Sequence, residues 1–251
     1  MTDAFDRPRT AIVTGGARRI GAALVRALAE DGWHVLIHCR NSRAEADGLA
    51  RELGTASVVA ADLAEPLAAD RIFAALEGLP PLRLLVNNAS LFRFDSADEF
   101  DVASWDEHLD VNLRAPALLS QAFAGRAESG LIVNLLDAKL SHPNPDFFTY
   151  TVSKAGLAAL TELTARAFAA RNIRVCGIAP SVTMVSGPQS RENFEAVHRL
   201  NALRRGVDVS EIVAALRFLI ATPTITGQTI TLDGGQRFLG LARDVQFLEP
   251  R

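Results

Sequence analysis

The sequence predicts an α/β fold, with one parallel sheet of about seven strands wound on both faces by helices, in a single domain over residues 1–251. Short apolar runs of strand length alternate with helical apolar spacing along the chain, the pattern of repeated βαβ units. The first run breaks into Thr14-Gly15-Gly16-Ala17-Arg18-Arg19-Ile20-Gly21, a glycine turn between a strand and a helix. No repeat, low-complexity tract or linker divides the 251 residues, a length that α/β units commonly reach as one domain.

Apolar residues make up 49% of the chain and charged residues 22%, which describes a globular protein with a full core. The formal charge of −3 offers no bulk attraction to nucleic acid or to an anionic membrane. Cys39 and Cys176 sit in apolar, strand-like runs, so neither a disulfide framework nor a metal site is expected. The first residues lack an apolar leader, and no run of about 18 apolar residues occurs, so a cytoplasmic protein is expected.

Residues 9–13 form the first strand, and AALVRALAEDGW after the glycine turn is a helix that Gly32 stops. In that context the turn is a phosphate cradle. The backbone approaches a pyrophosphate closely, and the helix N-terminus supplies its positive dipole end. Gly15, Arg18, Arg19, Ile20 and Gly21 are therefore candidate cofactor contacts, against the alternative of an ordinary βα turn. The second strand is His34–Cys39. At such a tip an NAD site places Asp or Glu on the ribose 2′-hydroxyl. Here the tip reads Cys39-Arg40-Asn41-Ser42, with no acid before Glu45. Arg18, Arg40 and the Ser42 hydroxyl, with Asn41 among them, suit a 2′-phosphate, which points to NADP(H).

A helix over Arg43–Leu53 leads to a strand at 57–60 and then to Asp62-Leu63, where the acid either caps the next helix, 67–76, or meets the adenine edge. The strand at 82–86 ends in Asn87-Asn88-Ala89-Ser90. Amide and small residues at a strand's carboxyl end are where open α/β sheets bind ligands, although Asn-Asn also makes a bare turn. Phe92 and Phe94 follow in a loop, one expected in the core and one at the site. A long helix, 105–123, holds Asn112 in an apolar stretch, where an amide must be hydrogen-bonded, as a structural tie or as part of a relay. The strand at 131–136 delivers Asp137, and Pro143 and Pro145 mark the loop after it. A buried strand at 173–178 ends in Ala179-Pro180-Ser181. Residues 183–205, polar and carrying Gly187-Pro188, read as a mobile lid. A helix at 210–220, a strand at 228–232 and the turn Asp233-Gly234-Gly235 close the unit. The tail, 236–251, carries Phe238, Leu239, Leu241 and Phe247, enough apolar surface for a subunit interface.

The chemistry concentrates in Tyr150-x-x-x-Lys154, directly before the apolar periodic run AGLAALTELTARAFA. On a helix these two residues share a face. A free phenol loses its proton near pH ~10. A neighbouring ammonium favours the phenolate, so the pair is expected to act as a tuned general acid. The alternative is a helix-face tyrosine beside a solvated lysine.

TGGARRIG, NNAS, the Asn of DVNL, YTVSK, IAPS and ITGQTITLDGG, in this order, resemble the short-chain dehydrogenase/reductase family over nearly the whole chain, from Thr10 to Gly235. The resemblance implies a Rossmann fold with Tyr150 as proton donor and Lys154 on the nicotinamide ribose, lowering the tyrosine's pKa. It also implies Asn112 holding a relay water, Asn88, Ala89 and Ser90 lining the cofactor with Asp62 and Leu63, and Pro180, Ser181 and Val182 closing that cleft. A homotetramer is usual in the family. Two positions depart from its norm. Arg19 replaces a glycine of the turn, and Asp137 replaces the serine thirteen residues before the tyrosine. Both are shared with the pteridine reductase branch, which includes bacterial dihydromonapterin reductases that also reduce dihydrofolate. HCRNSRAEADGLA and NNASLF are similar to that branch too.

The reading is an NADPH-dependent reductase of a dihydropterin or dihydrofolate, with Arg19, Ser90, Phe92, Asp137 and Tyr150 around the substrate and Asn112, Asp137, Tyr150 and Lys154 as the catalytic set. A carboxylate complements the donors of an amino-pyrimidine edge better than a hydroxyl does. The alternatives are a reductase of a ketone, such as a 3-oxoacyl group, and a non-catalytic dinucleotide sensor.

Overall fold

The computed structural model describes residues 8–186 and 189–248. Seven strands form one all-parallel sheet: β1 (Thr10–Val13), β2 (His34–Cys39), β3 (Ala56–Ala60), β4 (Leu82–Asn87), β5 (Gly130–Leu135), β6 (Ile173–Pro180) and β7 (Thr229–Leu232). Their spatial order is β3-β2-β1-β4-β5-β6-β7. Strand residues alternate between two cores, as a period of two demands. Ala11, Val13, Val35 and Ile37 pack under α1 (Arg19–Glu30), α2 (Arg43–Leu53) and α8 (Val209–Ala221). Ile12, Leu36, Leu85 and Ile132 face α3 (Ala68–Ala74), α5 (Ala115–Arg126) and α6 (Phe148–Phe168). The predicted architecture is the observed one. Among the described residues no helix is long and apolar enough to cross a membrane.

The strand order reverses between β1 and β4, so the loops leaving these two strands diverge and open a crevice at their carboxyl ends. The glycine turn follows β1 and Asn88-Ala89-Ser90 follows β4, which places both sequence motifs at that crevice.

One expectation is corrected and two regions gain detail. The helix expected over 105–123 is divided into α4 (Val102–Leu109), a π-helical turn (Asp110–Arg114) and α5. Pro116 has no N–H to give the carbonyl of Asn112 four residues earlier, and its ring crowds that carbonyl. The wider turn, with Ala115 N–H donating to the Asp110 carbonyl, accommodates it. The polar stretch 183–205 contains a short helix, α7 (Arg191–Val197), whose start Ser190 caps by accepting from Asn193 N–H; Gly187-Pro188 lies outside the described residues. The tail does not hold all its apolar side chains outward. Phe247 packs on Phe94 and Phe147 of its own chain, with ring centroids 5.0 and 5.9 Å apart, while Phe238 and Leu239 stay exposed.

Gly21 is the tightest point of the turn. A Cβ there would lie 2.1 Å from the carbonyl oxygen of Gly15, a backbone atom that cannot step aside. Gly21→Ala should therefore displace the turn, at a cost of roughly 1–3 kcal/mol for overpacking. Thermal melts should show a lowered Tm that added NADP no longer raises. An unchanged Tm with an intact response to NADP would show that the turn tolerates the methyl group.

Candidate active site

The glycine turn is fixed from both sides. Gly15 adopts a positive φ of 60°, and a side chain there would press on Asn88 and Ala89. Asn88 Nδ2 donates to the carbonyls of Thr14 (2.8 Å) and Gly15 (3.2 Å), while Thr14 Oγ1 accepts from the N–H groups of Asn88 and Ala89. From below, the N–H of Gly15 donates to Nδ1 of buried His38 at 3.2 Å, and His38 Nε2 lies 3.0 Å from the Ala61 carbonyl. With Nδ1 accepting, the proton belongs on Nε2, which donates to Ala61. Burial lowers the pKa of His38, against the opposing pull of the Ala61 carbonyl and Asp62, so the ring stays neutral. His38 was missed in the sequence. Its signal is a polar side chain within a strand of apolar neighbours.

A cleft of about 390 Å³ opens beside this turn, lined by Gly15, Arg18, Arg19, Ile20, Gly21, His38, Arg40, Asp62, Leu63, Asn88, Ala89 and Ser90, among others. Arg18 is paired with Glu45, the first acid after the second strand's tip, and Arg40 lies 3.4 Å from Glu107 and 3.9 Å from Asp62. Asn41 is exposed, and neither it nor Ser42 lines the cleft, so the structure brings two of the four expected phosphate-binding residues to it. Asp62 Oδ1 accepts from the N–H of Ala64, the capping role, while its side chain also borders the cleft.

A second, larger pocket of about 610 Å³ adjoins the first, with Arg19, Ile20, Asn88, Ser90 and Leu91 common to both. β5 and α6 bring Asp137, Tyr150 and Lys154 to its floor. Pro180, Ser181 and Val182, expected to close the cofactor cleft, line this pocket instead. The Tyr150 hydroxyl donates to Asp137 Oδ2 at 2.7 Å, and Asp137 Oδ1 accepts from the N–H of Lys139 at 2.8 Å. Lys154 Nζ donates to the Leu135 carbonyl at 2.7 Å and sits 5.7 Å from the centre of the Tyr150 ring.

The electrostatics correct the expectation of a tyrosine acidified by lysine. Burial pushes Tyr150 well above the ordinary phenol value, and the Asp137 carboxylate pushes it further. Burial also raises Asp137, despite the hydrogen bonds from Lys139 and Tyr150 and the charge of Lys154. Burial brings Lys154 down to about 8, with Asp137 opposing. Without a large opposing field, desolvation dominates each member of the triad. The carboxyl is thus a better proton source than its family position alone indicates, and the phenol a poorer one.

Asn112 is a structural tie. Its Oδ1 accepts from Leu91 N–H (2.7 Å) and Ser90 Oγ (3.3 Å), and its Nδ2 donates to the Leu91 carbonyl (2.9 Å) and Ser153 Oγ (3.0 Å). These bonds tie the loop after β4 to α6 through the amide, while the carbonyl of Asn112 is the one to which Pro116 has no N–H to give.

Phe92 lines the larger pocket but has one face already covered. It stacks on Phe147 at 4.2 Å and meets Tyr150 edge-on at 4.7 Å. Phe94 packs on Phe147 and Phe247, so both loop aromatics join one cluster. Arg19 holds a left-handed backbone, φ 54°, where glycine would be unstrained, and its Nη1 donates to the Val185 carbonyl at 2.7 Å. It therefore borders both clefts and clasps the segment expected to be a lid. Among the described residues no cluster of potential ligands suits a metal ion.

Comparison with known proteins agrees with this geometry. A family model described as short chain dehydrogenase matches residues 9–195. FolM alternative dihydrofolate reductase 1 from Brucella suis, in complex with NADP, is 40% identical with a TM-score of 0.88, covering 93% of this chain and 96% of that one. FolM alternative dihydrofolate reductase 1 from Brucella canis, complexed with NADP, is 38% identical with a TM-score of 0.85, covering 92% and 95%. A 3-oxoacyl-[acyl-carrier-protein] reductase from Synechocystis is 29% identical, covering 90% of this chain and 96% of its own length.

Tyr150 is the one tyrosine in the chain, so phenolate absorbance reports it alone. In the cofactor-free protein no phenolate should form below about pH 10, with circular dichroism confirming that the fold persists. Asp137→Asn removes the neighbouring negative charge and should bring the onset down. Phenolate forming well below that pH in the unmodified protein would restore the acidified tyrosine.

Proposed function

The chain belongs to the short-chain dehydrogenase family, and on that premise we propose that it reduces a dihydropterin or dihydrofolate with NADPH. The observation that carries this reading is the half-buried Asp137 carboxyl, which lines the larger pocket and accepts from the Tyr150 hydroxyl at 2.7 Å. Two neighbours near 40% identity that are alternative dihydrofolate reductases complexed with NADP support it.

The cleft beside the glycine turn fits the cofactor. Gly15 and Gly21 line it in a turn packed too closely for a side chain, Arg40 follows β2 where an NAD site needs an acid, and Arg18 lines the cleft with it. Gly15, Ile20 and Gly21 would hold the pyrophosphate, Arg18 and Arg40 the 2′-phosphate, and Asn88, Ala89, Ser90, Pro180, Ser181, Val182 and Lys154 the nicotinamide end. When bound, NADPH supplies a hydride.

Reducing a C=N bond adds that hydride to carbon and a proton to nitrogen. Tyr150 and Asp137 both line the larger pocket, and on this reading Tyr150 hands the proton on. Burial raises its own pKa, and a protonated Asp137, with its Oδ2–H donating to the phenol oxygen, would replace the proton as it leaves and remain as the carboxylate. A carboxyl group also accepts from the donors of an amino-pyrimidine edge. Phe92 offers its uncovered face to a flat ring, and Arg19 and Ser90 offer polar groups at the rim.

Reduction of a 3-oxoacyl group is the second reading, favoured by the Synechocystis relative and by the Tyr150–Lys154 pair, which serves a carbonyl as well as an imine. It leaves a half-buried acid beside Tyr150 without a task. The sensor reading is disfavoured by the completeness of the same pair.

Following NADPH oxidation with dihydrofolate, dihydrobiopterin and a 3-oxoacyl thioester decides between the readings. The pterins should turn over, and NADH should serve far less well. Arg40→Asp should narrow the preference for NADPH, since charge-assisted bonds to phosphate contribute about 1.5–3 kcal/mol each. Turnover of the thioester alone would transfer the protein to the carbonyl reductases.

Two variants test the roles. Tyr150→Phe should lower kcat by roughly 10²–10⁴-fold with NADPH binding retained, because only the hydroxyl is lost. Phe92→Ala should raise the pterin KM about tenfold, from the lost stacking and buried area. It should also lower Tm through the lost Phe147 contact, so the KM has to be read at a temperature where both proteins are folded. Unchanged KM would assign Phe92 to the core alone.

A further inference from the structure

The wall of the larger pocket opposite the cofactor cleft comes from the far end of the chain. Leu241, Arg243, Asp244, Val245 and Gln246 all line it, and none of them lines the cleft beside the glycine turn. A segment outside the strands and long helices stays in place only where its neighbours hold it.

One carboxylate provides most of the hold. Asp146 is buried, and both of its oxygens accept from Arg243 Nε, at 2.9 and 2.8 Å; one of them also accepts from the N–H of Asp244 at 2.7 Å. Burial alone would lift the Asp146 pKa, but Arg243, the Asp244 amide and Lys139 outweigh it and hold the carboxylate ionised. Lys139 Nζ donates to the Asp146 carbonyl and lies 3.4 Å from Asp244 Oδ2, so the neighbouring turn is stitched to the same strap. At the other end Gln246 Nε2 donates to Ser186 Oγ, and Asn193 Nδ2 donates to the Leu248 carbonyl.

The location of the anchor matters as much as its strength. Asp146 immediately precedes Phe147, which is fully buried with φ 53° at the head of α6, the helix that carries Tyr150. A bulky residue keeps a left-handed backbone only when its surroundings over-determine it. Phe147 is held by Phe92, Phe94 and Phe247 around its ring and by the Asp146 bonds beside it. Lys139, on the strap's other flank, supplies the N–H that Asp137 Oδ1 accepts.

We propose that residues 243–248 are a substrate-specificity clasp, and that Asp146 is the positioning residue that fastens it to the turn and helix carrying Asp137 and Tyr150. The clasp shapes the substrate side of the site and leaves cofactor binding untouched. The inference rests on reading the larger pocket as the reductase's substrate site.

Asp146→Asn keeps an acceptor for Asp244 N–H and removes the charge that Arg243 meets; Arg243→Gln removes the same pair from a half-exposed position that the fold tolerates. Each should raise the substrate KM about tenfold, the equivalent of one weakened charge-assisted bond. The NADPH Kd, measured by titration calorimetry, should stay within about twofold, less than the smallest such loss. The double variant should cost little more than either single one, since both break one pair. Limited proteolysis supplies a readout independent of turnover: the tail should be cut faster in both variants, and methotrexate should slow the cutting only with the pair intact. Unchanged KM and cutting rates, a parallel rise in NADPH Kd, or additive effects would each overturn the proposal. If no dihydropterin is reduced by the unmodified enzyme, the functional reading fails, and the same KM comparison on the ketone it does reduce, with the proteolysis arm, still judges the clasp.

Discussion

The hydrogen bond from the Tyr150 hydroxyl to the half-buried Asp137 carboxyl is the constraint around which this site is arranged. Burying a carboxyl is expensive unless it is hydrogen-bonded or paired. Every nearby element contributes to meeting that requirement. β5 ends where Asp137 begins, the turn after it supplies the N–H of Lys139, and α6 supplies Tyr150 and, one turn on, Lys154. The sheet order puts the carboxyl end of β5 next to the crevice at β4, so the acid is delivered to the place where an open α/β sheet receives ligands.

Lys154 illustrates how burial redirects a familiar pair. An ammonium beside a phenol in water would acidify it; here both groups are buried, and desolvation works on each separately. The lysine is eased toward its neutral form while the tyrosine is held protonated. Its clearest structural task is the bond to the Leu135 carbonyl, which fixes α6 against the last residue of β5 and so sets the separation of Asp137 from Tyr150.

Much of the fold was legible because its signals are local. Alternating apolar runs gave the seven strands, and β2 and α2 fall on the expected residues. The site was legible where residue type and strand end coincide, as at Asp137 and at Asn88-Ala89-Ser90. What escaped notice depends on partners distant in sequence. Asn112 had both a structural and a relay reading, and the structural one became visible only in its contacts with Leu91 and Ser153. The helix break at Asp110–Arg114 had a visible cause in Pro116, but its form as a π turn depends on packing. His38 looked like one more strand residue until Gly15 was placed above it. Arg18 looked free for phosphate until Glu45, one turn into α2, was folded back toward it. The strap escaped because Asp146 and Arg243 are 97 residues apart.

The replacement of a hydroxyl by Asp137 has a chemical consequence that reaches beyond the hydrogen bond. A serine beside the tyrosine can only orient a carbonyl oxygen and share a proton with it; it cannot change charge near neutral pH. A half-buried carboxyl with a raised pKa can hold a proton, release it, and in its ionised form attract donors. A ketone presents one acceptor and has no donor to add to those that Lys139 and Tyr150 already give the Asp137 anion. A pterin's ring presents acceptors and donors together, and one carboxyl can serve it in both states. On the proposed reading, preference for such a ring would come from the donors it brings to the carboxylate, which a ketone lacks.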